Sequence, residues 1–148
     1  MEEVGGRVTR FRPGDRVMGL VGGGGYAEYV AVDEAEVLPV PEGLGDVEAG
    51  AVPEVFMTAF DAIHLQMGLA AGETILIHAV GSGVGTAALQ LARAAGARTI
   101  GTSRTPSKLE RAVSMGLDVA VEGGGSEWAG EVLEATGGRG ADVILDLV

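Results

Sequence analysis

The chain contains no cysteine. Disulfides and thiolate metal sites are therefore excluded, and cysteine usage leaves the compartment open. Basic charge is scarce: ten Lys and Arg stand against 21 Asp and Glu, for a net charge of −11. That argues against a nucleic-acid or anionic-membrane surface, where a basic face is expected. Lysine is rarer still, since nine of the ten cations are arginine and Lys108 stands alone. No apolar run reaches the length of a membrane span, and the N-terminus lacks a signal-peptide pattern, so the cytoplasm is the expected setting. Aromatic residues make up only 4 %.

What remains is ample for a folded core. The 148 residues are 47 % hydrophobic, which fits an ordinary globular domain. The 26 glycines show no collagen period; they cluster at 22–25, 81–85, 123–125 and 137–140 and read as loops between elements.

Two unlike parts follow one another. Residues 1–45 read as β: a strand over Asp15–Val21, a glycine turn, a second strand over Tyr26–Val32 and a short third over Val37–Val40. Tyr26 and Tyr29 fall at alternating strand positions. Residues 46–67 read as helical in two pieces, with Asp46 capping the first and Pro53 in the first turn of the second. Phe56, Ala59, Phe60, Ile63 and Met67 give that segment one apolar face. From residue 74, strands and helices alternate: strand 74–79, helix 84–95, strand 98–102, helix 106–115, strand 119–122, helix 127–135 with Ser126 a candidate cap, and a final strand over Asp142–Val148. Trp128 reads as a partly buried anchor of its helix. Such alternation predicts an α/β fold whose parallel sheet has right-handed crossovers. The apolar final strand and the few strands before residue 45 give the expectation of a piece of a larger protein.

The chemistry is carried by Thr74-Ile-Leu-Ile-His-Ala-Val-Gly-Ser-Gly-Val-Gly85 followed by Thr86–Ala95. A β-branched strand enters a glycine turn that opens a helix. Small residues let backbone amides approach a diphosphate, and the helix N-terminus supplies positive partial charge. Any α/β protein can contain a glycine-lined strand-to-helix turn, so the flanking strand and helix give this one its meaning. No Gly-Lys-Ser/Thr follows, as a P-loop requires. Val80 precedes Ser82 where a nucleophile elbow needs glycine. The residue about 20 positions on sets the choice of cofactor: an acid accepts the 2′-hydroxyl of NAD, whereas a base accommodates the 2′-phosphate of NADP. Thr102-Ser-Arg-Thr-Pro-Ser-Lys108 offers Arg104, Thr105 and Lys108 and no acid before Glu110, which predicts NADPH. His64 reads as a packed or surface histidine, and His78, at the end of its strand, as a candidate to orient the glycine turn.

Taken together, these stretches resemble the medium-chain dehydrogenase/reductase superfamily, in particular its zinc-independent, zeta-crystallin-like quinone oxidoreductases. Phe11-Arg-Pro-Gly-Asp-Arg-Val17, Gly24-Gly-Tyr-Ala-Glu-Tyr-Val30, Ala51-Val-Pro53 with Met57-Thr-Ala-Phe60, and His78–Ala87 carry the match. The resemblance implies the C-terminal β part of a GroES-like domain over 1–45, connecting helices over 46–72 and the first half of a Rossmann-type doubly wound parallel sheet over 73–148. It implies that Ser82, Gly83 and Val84 line the diphosphate, that Arg104, Thr105 and Lys108 hold the 2′-phosphate, and that Thr58 lies near the nicotinamide ribose. Glu54 falls where zinc-dependent relatives place a cysteine ligand, so no metal is expected. Some members carry a tyrosine after the third strand of the sheet; residues 119–123 have none.

The implied activity is transfer of a hydride from NADPH to a quinone or an α,β-unsaturated carbonyl, by a protein that is often a homodimer. No residue is expected as the proton donor, and the segment by itself is expected to turn over little. A non-catalytic NADPH-binding or crystallin-like module and a zinc-type alcohol dehydrogenase relative are the alternatives.

Overall fold

The computed structural model describes residues 1–148. The chain forms two compact units, Met1–Glu54 and Val55–Val148.

In the first unit, β1 (Val17–Gly19) pairs antiparallel with β2 (Val37–Pro39), Val17 facing Pro39 and Gly19 facing Val37. A short 3-10 turn, Glu34–Glu36, leads into β2, and the Asp33 carboxylate caps it by accepting from Ala35 N–H at 2.9 Å. The strand expected over Tyr26–Val32 does not form, and β1 is shorter than expected. Tyr26 and Tyr29 are exposed. Alternating side chains make a segment fit for a strand, but a strand exists only where a neighbour takes its backbone hydrogen bonds.

The helix α1 (Asp46–Phe60) is one piece that runs through Pro53, where two pieces were expected. Proline removes one N–H donor from a helix, and burial of the Pro53 ring accompanies that loss. Asp46 is the first helical residue and not a cap; its carboxylate takes the Arg16 guanidinium, with Nε at 3.1 Å. A π-helical segment, Asp61–Gln66, continues α1 with Ile63 fully buried. It ends at Gly68, whose φ of 64° is the left-handed conformation that stops helices.

The second unit is a parallel sheet of β3 (Thr74–Ile77), β4 (Arg98–Ser103), β5 (Val119–Glu122) and β6 (Val143–Leu145), connected through α2 (Gly83–Ala94), α3 (Pro106–Ser114) and α4 (Trp128–Ala135). The spatial order is β5-β4-β3-β6, with every pair parallel. Alternation along β3 explains its two covered faces. Ile75 and Ile77 join the core formed with Ala59, Ile63, Ala88, Leu89 and Leu109. Leu76 joins Ile100, Val121 and Val132 on the other side. Each fully buried aliphatic side chain contributes on the order of 1.5–3 kcal/mol.

Several boundaries shift by one residue from expectation, and three readings change more: β3 ends at Ile77, β6 spans only Val143–Leu145, and Ser126 does not cap α4. The cap position of α4 is Glu127, in helical conformation and without a side-chain bond. The path from β3 to β5 moves outward on one side and then crosses back to β6. The order therefore reverses between β3 and β6, which opens a crevice beyond their carboxyl ends.

Candidate functional site

Five residues, His78 to Ser82, connect β3 to α2, and their backbone is closely tied down. His78 N–H donates to Leu145 O at 2.9 Å, and Val80 N–H to Thr102 O at 3.0 Å. The turn is thus fastened to both neighbouring strands. Ala79 between them is the one non-glycine residue with positive φ, at 48°; this conformation disfavours a Cβ by roughly 1–2 kcal/mol. Strain of that kind is held where surrounding structure enforces it.

Ser82 is the N-cap of α2. Its backbone is extended, and its hydroxyl accepts from Gly85 N–H at 3.0 Å. Such a cap stabilises a helix by about 1 kcal/mol. Ser82 N–H goes to Ala79 O and Thr86 N–H to Ser82 O, both at 2.9 Å. The amides of Gly81, Gly83 and Val84 have no acceptor within the chain. Gly83 and Val84 are among the unpaired donors that a helix start leaves. A Cβ on Gly85 would lie 2.5 Å from Ala79 O and 2.8 Å from Val80 Cα, so glycine is what lets the helix close onto the turn. A Cβ on Gly83 would lie 3.0 Å from Val55 Cγ1.

At the carboxyl end of β4, Ser103 Oγ accepts from Thr105 N–H at 3.1 Å and shapes the bend into α3. Thr105 occupies the N-cap position of α3 with its hydroxyl uncommitted, and Pro106 supplies the first turn. Arg104 and Lys108 are exposed, and neither has a carboxylate partner. A cavity of about 400 Å³ gathers Arg104, Thr105 and Lys108 with His78, Thr102 and Trp128; Asp146, just after β6, adds a carboxylate. Ser82, Gly83 and Val84 lie outside its lining, as does Thr58, which is exposed one helical turn beyond Val55 on α1. His64 is half-buried against the Phe60 ring at 4.9 Å.

Trp128, Gly123 and Asp146 were not expected at the site from sequence, whereas His78 was, as a candidate to orient the glycine turn. His78 Nδ1 is 2.9 Å from Thr102 Oγ1, and its ring meets Trp128 edge-on at 4.8 Å. The aromatic wall is therefore Trp128 from α4, while residues 119–123 provide Gly123. A usable signal was present: residues 76, 78, 100 and 102 share one sheet face by parity and register. Asp146 carried no such signal, because a strand end gives no indication of what faces it.

Comparison with known proteins agrees with this fold. The alcohol dehydrogenase GroES-like domain family model matches residues 1–42, and the zinc-binding dehydrogenase family model matches residues 83–148. The CurK enoyl reductase structure superimposes with a TM-score of 0.92 at 33 % identity, covering 99 % of this chain and 44 % of that one. The chain belongs to the medium-chain dehydrogenase/reductase superfamily.

Within the superfamily, a quinone oxidoreductase of Pseudomonas syringae pv. Tomato matches at 33 % identity with a TM-score of 0.81, covering 98 % of this chain and 45 % of that chain. An erythronolide synthase of Saccharopolyspora erythraea is 43 % identical over 145 residues, 97 % of this chain and 4 % of the synthase. A phthioceranic/hydroxyphthioceranic acid synthase of Mycobacterium tuberculosis is 38 % identical over 98 % of this chain and 7 % of its own length. The chain thus spans under half the length of the solved relatives and a small part of the synthases. Superfamily membership carries the two-part organisation with it, a GroES-like segment followed by a Rossmann-type sheet. Among residues 1–148 no three His, Asp or Glu side chains are grouped to hold a metal ion, so no zinc ligand is assigned here. No helix is long and apolar enough to cross a membrane.

Proposed function

We propose that this chain forms part of a cytoplasmic, NADPH-dependent reductase of α,β-unsaturated carbonyl groups, an enoyl thioester above all. The observation that carries the cofactor assignment is the pair of unpartnered cations, Arg104 and Lys108, on one cavity at the end of β4. In a chain of net charge −11, such a pair matches a phosphate monoester.

The residues fit the dinucleotide along its length. Gly83 and Val84 offer free amides to the diphosphate, and Ser82 caps the helix that presents them. In this reading Arg104, Lys108 and the uncommitted Thr105 hydroxyl take the 2′-phosphate, while the assignment of Thr58 to the nicotinamide ribose rests on the family resemblance alone. When bound, the nicotinamide supplies a hydride equivalent, which adds to the β-carbon of the conjugated acceptor while a proton is taken up at the α-carbon. The chain's own residues bind and orient; no side chain in the described site is assigned the proton. Similarity to enoyl reductases and polyketide-type synthases favours an enoyl acceptor over a quinone.

Asp146 supports a second reading, because a carboxylate on the same cavity would suit the 2′-hydroxyl of NADH. Binding constants for both cofactors in the full-length protein decide between them. Arg104→Ala and Lys108→Ala should each weaken NADPH by about 1–3 kcal/mol and NADH far less. Equal losses for the two cofactors would refute the phosphate assignment. Reduction of a crotonyl thioester should be faster than that of a benzoquinone; the reverse order would return the substrate class to quinones.

A further inference from the structure

Gly81 shows no positive φ, so its backbone could be that of any residue. Its surroundings are what require glycine. A Cβ on Gly81 would lie 2.6 Å from Lys108 Cβ, 3.0 Å from Cδ and 3.1 Å from Cγ. The stem of Lys108 is laid flat on the bare α-carbon of Gly81. A rotamer change could move Cγ and Cδ away, but Cβ is fixed to the backbone of α3. Each glycine of the motif therefore admits a different neighbour: Gly85 the turn itself, Gly83 the side chain of Val55, and Gly81 the first turn of α3.

We propose that Gly81 is a specificity-determining position for the 2′-phosphate, acting through Lys108. It touches no phosphate. By lacking a side chain it lets α3 close onto the glycine turn, which brings the chain's one lysine to the cavity with one side of its stem packed on that turn. Diphosphate loop and phosphate cation become one unit. An isolated lysine on a solvated helix start would hold its ammonium loosely and lose its rotamer freedom on binding. Packing on Gly81 removes part of that loss before the ligand arrives.

The inference rests on the NADPH reading, and the two can fail separately. Dissociation constants for NADPH and NADH are measured by the fluorescence of Trp128, the single tryptophan, in the full-length protein if it carries no other. Otherwise calorimetry is used. Gly81→Ala should lower the preference for NADPH about tenfold and leave NADH within about threefold of its original affinity. Lys108→Gly removes the clashing carbon together with the charge; Gly81→Ala added to it should change the preference no further. Where Gly81→Ala alone does not fold, the same pair of substitutions should restore the fold, because the clash is gone.

Equal loss of both cofactors in Gly81→Ala would overturn the proposal and place the role of Gly81 in the diphosphate loop. A double variant that stays unfolded would overturn it too. A wild-type protein without preference for NADPH would sink the cofactor reading and this inference together. A wild-type preference that survives Gly81→Ala would sink the inference alone.

Discussion

A single methyl group decides much around the glycine turn. The motif was legible as a cluster of small residues at 81, 83 and 85, but the task of each was not, because the neighbours that crowd a Cβ come from α1, α3 and the turn's own backbone, least severely at Gly83. The Ser82 cap could be anticipated from its place before a helix, whereas the left-handed Ala79 could not. Alanine there is a strained choice with a definite test. Ala79→Gly removes a conformational penalty of roughly 1–2 kcal/mol and adds unfolded-state entropy worth about 0.5–1 kcal/mol. The difference favours the variant by about 0.5–1 kcal/mol, visible as a higher urea midpoint at unchanged slope. A lower midpoint would mean that the Ala79 methyl makes packing contacts that outweigh the strain.

Elements were legible where burial is two-sided. The runs at 74–77 and 98–103 are flanked by glycine or proline signals and covered on both faces, so pattern and partner agree. Tyr26–Val32 has the alternation without the pairing, and α1 has a proline that propensity would place at a helix start. In both, a local signal was overruled by something other than local structure. The amino ends of the sheet show a device that no pattern announces. Asp118, just before β5, accepts from Thr99 N–H at 2.7 Å and Thr99 Oγ1 at 2.8 Å, and Asp142, before β6, accepts from Thr74 N–H at 2.8 Å. Each carboxylate satisfies a donor at the start of the neighbouring strand and so fixes register. Thr99 is fully buried. Asp118→Ala therefore strands two donors and should lower stability by about 1–3 kcal/mol in denaturant unfolding. Asp118→Asn keeps an acceptor and should lose less. Equal losses would show that charge, and not the hydrogen bonds, holds the strand.

At the scale of the whole molecule, two electrostatic fields compete for an anionic cofactor. The chain's net charge of −11 repels it from a distance, and in the proposed reading Arg104 with Lys108, which line one cavity, attracts its extra phosphate at contact. Affinity for either cofactor alone mixes the two fields. Their ratio separates them, because NADPH differs from NADH by one phosphate. Raising ionic strength from 0.1 M to 1 M shortens the screening length from about 10 Å to about 3 Å. If distant repulsion dominated, screening would favour the more highly charged ligand, and the preference for NADPH would rise with salt. If the two exposed cations dominate, screening weakens their contact with the phosphate and the preference falls. The unpartnered state of both cations makes the second outcome the expected one, a severalfold decline in the ratio of binding constants across that range. Arg104→Ala and Lys108→Ala together should flatten the slope. A preference that rises with salt would show that the cations at the end of β4 do not hold the phosphate, whatever their distance from it.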